Sequence, residues 1–158
     1  MKIIIKLISL IFLISCVGQK LNQSQTYQEK IVINTPEVVK LGEVLNIEIK
    51  NISNDTITLI NPVIKKIEKF ENENWRLLRI LYCPCGANCQ PAIPKIELLS
   101  NQNVLLNWNL NESWCIKNEY GEIQSETQPA DTGLYRILLL VDSENKIDTL
   151  VKEFKILK

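Results

Sequence analysis

Beyond Gln28 the chain alternates apolar and polar residues in short runs separated by turn residues. A period of two is the pattern of half-buried strands, because successive side chains point to opposite faces of a sheet. Leu45, Ile47 and Ile49 alternate with Asn46, Glu48 and Lys50, after Gly42 and before the turn-rich Asn51 to Asp55. Thr56 to Ile60 is rich in β-branched residues and stops at Asn61-Pro62. Val104, Leu106, Trp108 and Leu110 alternate with Leu105, Asn107, Asn109 and Asn111. Leu134 to Val141 is apolar at nearly every position, as a central strand is, and Asp148 to Leu157 pairs with it after the turn Ser143 to Lys146. Ile64, Ile67 and Phe70 stand three apart, a helical spacing. The alternative is a hairpin with Glu71 to Asn74 as its turn and Trp75 opening the return strand, and the neighbouring strands favour it. No segment keeps a helical period over the ~10–12 residues that a helix needs.

This succession predicts an all-β antiparallel sandwich over residues 28–158. Its most specific motif is Asp131-Thr132-Gly133-Leu134-Tyr135, one strand from the end of the chain. The motif resembles the tyrosine corner that enters the penultimate strand of immunoglobulin-like sandwiches. The resemblance, to bacterial Ig-like domains and those of the proteinase-inhibitor type, implies that the Tyr135 hydroxyl reaches backbone a few residues upstream. It also implies that Gly133 lets the chain turn. Antibody domains carry a cysteine two residues after that tyrosine. Here the position is Ile137, so their inter-sheet disulfide is absent. The expected architecture is an immunoglobulin-like β-sandwich with a cysteine-rich loop, a fold that leaves function open.

The first fifteen residues read as an export signal. Lys2 and Lys6 are followed by the apolar Leu7 to Ile14, too short for a spanning helix of about 20 residues. The run ends in Leu13-Ile14-Ser15-Cys16, which resembles the lipobox of bacterial lipoproteins. The resemblance implies that the Cys16 thiol receives a diacylglycerol, that the chain is cut before it, and that the new amine is acylated, commonly with palmitate. Two or three acyl chains, at about 0.8 kcal/mol per buried CH₂, hold a protein stably on a membrane. Residues 16–27 are then a lipidated N-terminus and a polar tether. Val17 is not the aspartate that keeps many such proteins in an inner membrane, so the expected address is the outer membrane of a bacterial envelope. Losing Lys2 and Lys6 from eighteen basic residues against eighteen acidic ones takes the net charge to −2.

Apart from Cys16, the thiols are Cys83, Cys85 and Cys89, in the run Cys83-Pro84-Cys85-Gly86-Ala87-Asn88-Cys89, and Cys115. Four thiols can form two disulfides, a thiolate metal site or a redox centre. The spacing departs from the paired knuckles of zinc ribbons and lacks a C-x-x-C redox pair, and an exported chain meets oxidising conditions. Two disulfides are expected and no metal. Cys83–Cys85 would close a ring around Pro84 alone, which strains the usual Cα separation. Two pairings are left open: Cys83–Cys89 with Cys85–Cys115, or Cys83–Cys115 with Cys85–Cys89. The loop Cys83 to Pro94, with Pro84, Gly86, Pro91 and Pro94, is the expected contact segment.

Composition removes several classes of activity. The chain has no histidine, so triad hydrolases and histidine-built metal sites are excluded, and its balanced charge makes no case for nucleic acid. It carries no G-x-S-x-G elbow, and the acidic pairs Glu71/Glu73 and Glu119/Glu122 lie in polar, turn-like segments. Trp75, Trp108 and Trp114 read as packing residues. The expectation is a non-catalytic envelope module without cofactor, held to the membrane by its lipid and presenting a surface to a protein partner. The alternative is a thiolate metal-binding or redox lipoprotein.

Overall fold

A computed structural model describes residues 29–62, 66–89, 95–143 and 146–158. Cys16, the signal and the tether lie outside the described residues, as do Ile64, Pro91 and Pro94. Among the described residues twelve strands form two facing sheets and a separate hairpin. The smaller sheet has the order β1 (Ile31–Asn34), β3 (Leu45–Asn51), β8 (Asn103–Trp108). The larger is built on β11 (Gly133–Ser143), which pairs with β12 (Lys146–Leu157) along one edge. Its other edge is shared end to end by β4 (Ile57–Ile60) and β5 (Lys66–Glu71). Outside them lie β7 (Lys95–Leu98) beside β4, β6 (Asn74–Leu77) beside β5, and the short β2 (Val38–Lys40) beside β12. Among the described residues only the β2–β12 pairing is parallel. The hairpin is β9 (Asn111–Lys117) with β10 (Ile123–Pro129).

Sequence periodicity accounts for the core. Leu45, Ile47 and Ile49 of β3 face inward against Tyr135, Ile137, Leu139 and Val141 of β11, and all seven are buried. The Ile67 segment is a hairpin, β5–β6. Its two-residue turn, Asn72-Glu73, has positive φ at both positions (50° and 62°), as a type I′ connection requires. The alternation that continues through Leu110 breaks at Trp108: β8 ends there and Leu110 adopts φ 53°, which turns the chain into β9. Leu110 is still buried, and its carbonyl accepts a bond from the Ala130 amide at 2.7 Å. Trp108 packs with Tyr135 and Phe154 as an aromatic centre, its ring centroid 6.0 and 6.4 Å from theirs. The architecture is an immunoglobulin-like all-β sandwich.

The Tyr135 hydroxyl donates to the Asp131 carbonyl at 2.7 Å, closing the corner across Gly133, whose φ of 151° suits glycine. Burial, with the Asp131 charge nearby, raises the tyrosine pKa above its ordinary value. The Asp131 carboxylate accepts from Lys69 at 3.0 Å, tying the corner to β5. Tyr135→Phe keeps the ring packing and loses one buried hydrogen bond. It is expected to cost about 0.5–1.5 kcal/mol, with unchanged secondary structure. Urea titration followed by circular dichroism reads this directly; a variant as stable as the parent removes the corner from the energetics.

A second stitch comes from Asn51, at the end of β3 and 0% exposed. Its amide nitrogen donates to the carbonyls of Leu98 (2.9 Å) and Asp55 (2.7 Å), and its oxygen accepts from the Ser53 amide and hydroxyl. Leu98 belongs to β7 of the facing sheet, so one side chain joins both sheets through polar bonds inside the core.

Candidate functional site

The four cysteines converge where the chain leaves β6 and crosses the β9–β10 hairpin. After Leu77 the backbone runs beside β9: the Ser113 amide donates to the Arg79 carbonyl at 2.7 Å, and the Leu81 amide donates to Ser113 Oγ at 2.9 Å. Further on, the Cys85 amide donates to Ser125 Oγ at 3.1 Å. Ser125 stands opposite Cys115 in the hairpin register, so the bond brings Cys85 over Cys115. The structure pairs Cys85 with Cys115 (Cα–Cα 5.6 Å) and Cys83 with Cys89 (6.2 Å), the first of the two arrangements left open by the sequence. Both separations suit a disulfide. Gly86, at φ 73°, makes the turn between them, and the Ala87 amide closes it on the Pro84 carbonyl at 3.2 Å.

Charged side chains lock the base of this loop. Arg76 on β6 meets Glu112 on β9 through two parallel hydrogen bonds of 2.7 and 3.0 Å, and also bonds Glu71. The Arg79 guanidinium lies over the Trp114 ring, 3.8 Å from its centroid. Trp114 is thus a cation–π partner beside the disulfide, and Trp75 is another, under Arg136 at 4.2 Å. Glu71, read as a solvated turn residue, is instead a strand residue in an ion pair. The bidentate bond to Arg76 holds the Glu112 carboxyl below the usual carboxylate range and raises the arginine's own pKa.

A depressed folded-state pKa contributes stability above the unfolded value of about 4.5, and that contribution fades as pH falls towards the folded value. Thermal melts of the parent chain are therefore expected to fall below pH ~4.5 more steeply than those of Glu112→Gln. Parallel slopes for the two proteins count against this pair as an acid-sensitive brace.

What the framework displays is aromatic and apolar. At the hairpin tip, Asn118 Oδ1 accepts from the amides of Tyr120 (3.0 Å) and Glu122 (2.9 Å), while Gly121 takes φ 80°. The Tyr120 ring stands 87% exposed on this fixed turn. Ile123, at the start of β10, and Tyr82, beside Cys83, are also exposed. Every residue of β10 is exposed. Among the described residues, no three Cys, Asp or Glu side chains are grouped as metal ligands.

Sequence reading found the cysteines but missed Glu112, Arg79 and Tyr120. Arg76 and Arg79 sit in the segment read as the return strand of the hairpin, 36 and 33 residues from Glu112.

The chain matches no protein-family model, and no curated protein is significantly similar to it in sequence. Solved structures similar to it include the sulfur carrier protein SoxY from Chlorobium limicola f thiosulfatophilum. That match has 13% identity over 82% of this chain and 80% of that one, with a TM-score of 0.37. The CARDB domain of the PF1109 protein from Pyrococcus furiosus, solved in complex with di-metal ions, is 14% identical over 81% of this chain and 86% of that one, with a TM-score of 0.34. Likenesses this loose carry no function over to this chain.

Proposed function

We propose that this chain is a lipid-anchored protein of a bacterial outer membrane whose Ig-like sandwich serves as a non-catalytic binding module. The contact surface is the stapled loop with the tip of the β9–β10 hairpin. One observation carries the reading: a loop of irregular backbone is fixed to the hairpin by Cys85–Cys115, by the Ser125 bond and by the Arg76–Glu112 pair, and beside it Tyr120 is held out on a closed turn. Rigid aromatic side chains on a fixed framework make contacts at small entropic cost, which favours binding over chemistry. All four sulfurs are in bridges, which leaves no thiolate among the described residues to ligate a metal.

The anchor rests on Leu13-Ile14-Ser15-Cys16. Cys16→Ala is expected to accumulate as an uncut, unacylated precursor, visible as a higher intact mass and as loss of palmitate labelling. A mature mass unchanged by the substitution overturns the anchor. For the contact surface, a photoreactive residue at position 120 in envelope-embedded protein is expected to capture a discrete partner, while one at position 46, on the outward face of β3, captures none. Equal or absent capture at both positions rejects the surface.

A further inference from the structure

The outer face of the large sheet is built like a surface meant to be covered. Leu138 and Leu140 of β11 point away from the core, since Ile137, Leu139 and Val141 point into it. Residues directly opposite in an antiparallel ladder share a face, so Leu138 lies beside Val151 and Leu140 beside Ile60. The β5–β6 hairpin extends this face with Phe70 and Trp75, whose rings meet at 5.2 Å, and with Leu77. Ile147 (57%), Leu77 (53%) and Val151 (45%) are each about half exposed. A central strand apolar on both faces belongs in a sheet covered on both sides.

We propose that a second copy of this chain covers the face, the two large sheets packing front to front about a two-fold axis. Charge and size both argue for this occupant. Arg136 already bonds Glu68 at 2.5 Å, and Lys95 bonds Asp142 at 2.5 Å. The charges left on this face are Lys40, Lys66 and Lys155 against Glu97 and Glu153, three positive and two negative. A mixed face with so small an excess of one sign suits its own copy better than a strongly charged partner.

A two-fold axis running between β11 and β12 sets Leu138 on Val151 and Arg136 against Glu153 of the second copy. That follows from the register, in which Leu138 opposes Val151 and Arg136 opposes Glu153 within one chain. The strand residues of this sheet, at about 3.3 Å each with strands about 4.8 Å apart, span roughly 700 Å². The per-partner area of a standard stable interface is about 800 Å².

The test uses the full chain purified in detergent, with its loop cysteines paired. Val151→Cys treated with a short bismaleimide is expected to give a band at twice the chain mass. Leu105→Cys, on the outward side of the small sheet and 71% exposed, is expected to stay at single mass. Val151→Cys combined with Leu138→Glu is expected to lose the doubled band while its far-UV circular dichroism spectrum stays that of Val151→Cys. Four outcomes overturn the proposal. They are Val151→Cys labelled at single mass, Val151→Cys refusing label, equal doubling of Leu105→Cys, and a crosslinked band matching a different protein.

Discussion

Cys85→Ala/Cys115→Ala is expected to unfold about 3–4 kcal/mol more easily than the parent chain, because the lost bridge closes a loop of 30 residues and constrains the unfolded ensemble in proportion to the logarithm of that length. The Cys83–Cys89 bridge spans only 6 residues, and on the same model its removal costs about 2 kcal/mol. The two losses differ in place as well as size. Removing Cys85–Cys115 frees the loop from β9 and releases the hairpin, which is otherwise held by Arg76–Glu112, the Ser125 bond and the backbone bond at Ser113. Removing Cys83–Cys89 relaxes the loop's shape and leaves it attached. Guanidinium titrations of both double variants, with hydrogen exchange at β10, separate the effects. If the Cys83/Cys89 variant is the less stable of the two, the long bridge is not the main staple.

Asn51→Ala is expected to be among the most costly polar substitutions in the domain, at about 3 kcal/mol or more. The side chain is fully buried and satisfies two backbone carbonyls, Leu98 and Asp55, and the Ser53 amide. Each buried group left without a partner costs about 1–3 kcal/mol, and the cavity adds to that. Asn46→Ala provides the comparison: the residue is on the same strand but its side chain faces solvent, and a change within about 0.5 kcal/mol is expected. Denaturant midpoints of the two variants decide the point. Similar values for both mean that the Asn51 stitch between the sheets carries little of the stability.

Leu45, Ile47, Ile49 and the two apolar faces of β11 were readable because burial there follows a strict period of two. Tyr135 was readable because its corner is local: donor and acceptor are four residues apart. Asn51 was not. An asparagine ahead of Ile52-Ser53-Asn54-Asp55 has the composition of a turn, and its burial depends on Leu98, 47 residues away. β10 was invisible for a different reason. Ile123-Gln124-Ser125-Glu126-Thr127-Gln128-Pro129 buries no side chain, so no hydrophobic period marks it, and its strand conformation comes from backbone pairing with β9. The disulfide partners were narrowed to two arrangements by spacing. The choice between them needed Ser125, which lies opposite Cys115 and takes the Cys85 amide.

The position of β11 governs when this domain can fold. It is the strand on which β12, β4 and β5 all pair, and it follows all but one of the other described strands. Until it has been made, β4–β7 and β5–β6 are two isolated strand pairs, each too small to be stable in water. A chain growing from its N-terminus, or threading a membrane pore in that direction, therefore cannot complete its larger sheet early. The step that joins the pieces waits for β11 and β12, which form the longest ladder among the described residues and can zip together as soon as both are free. Completion of the larger sheet is held back until β12 is through.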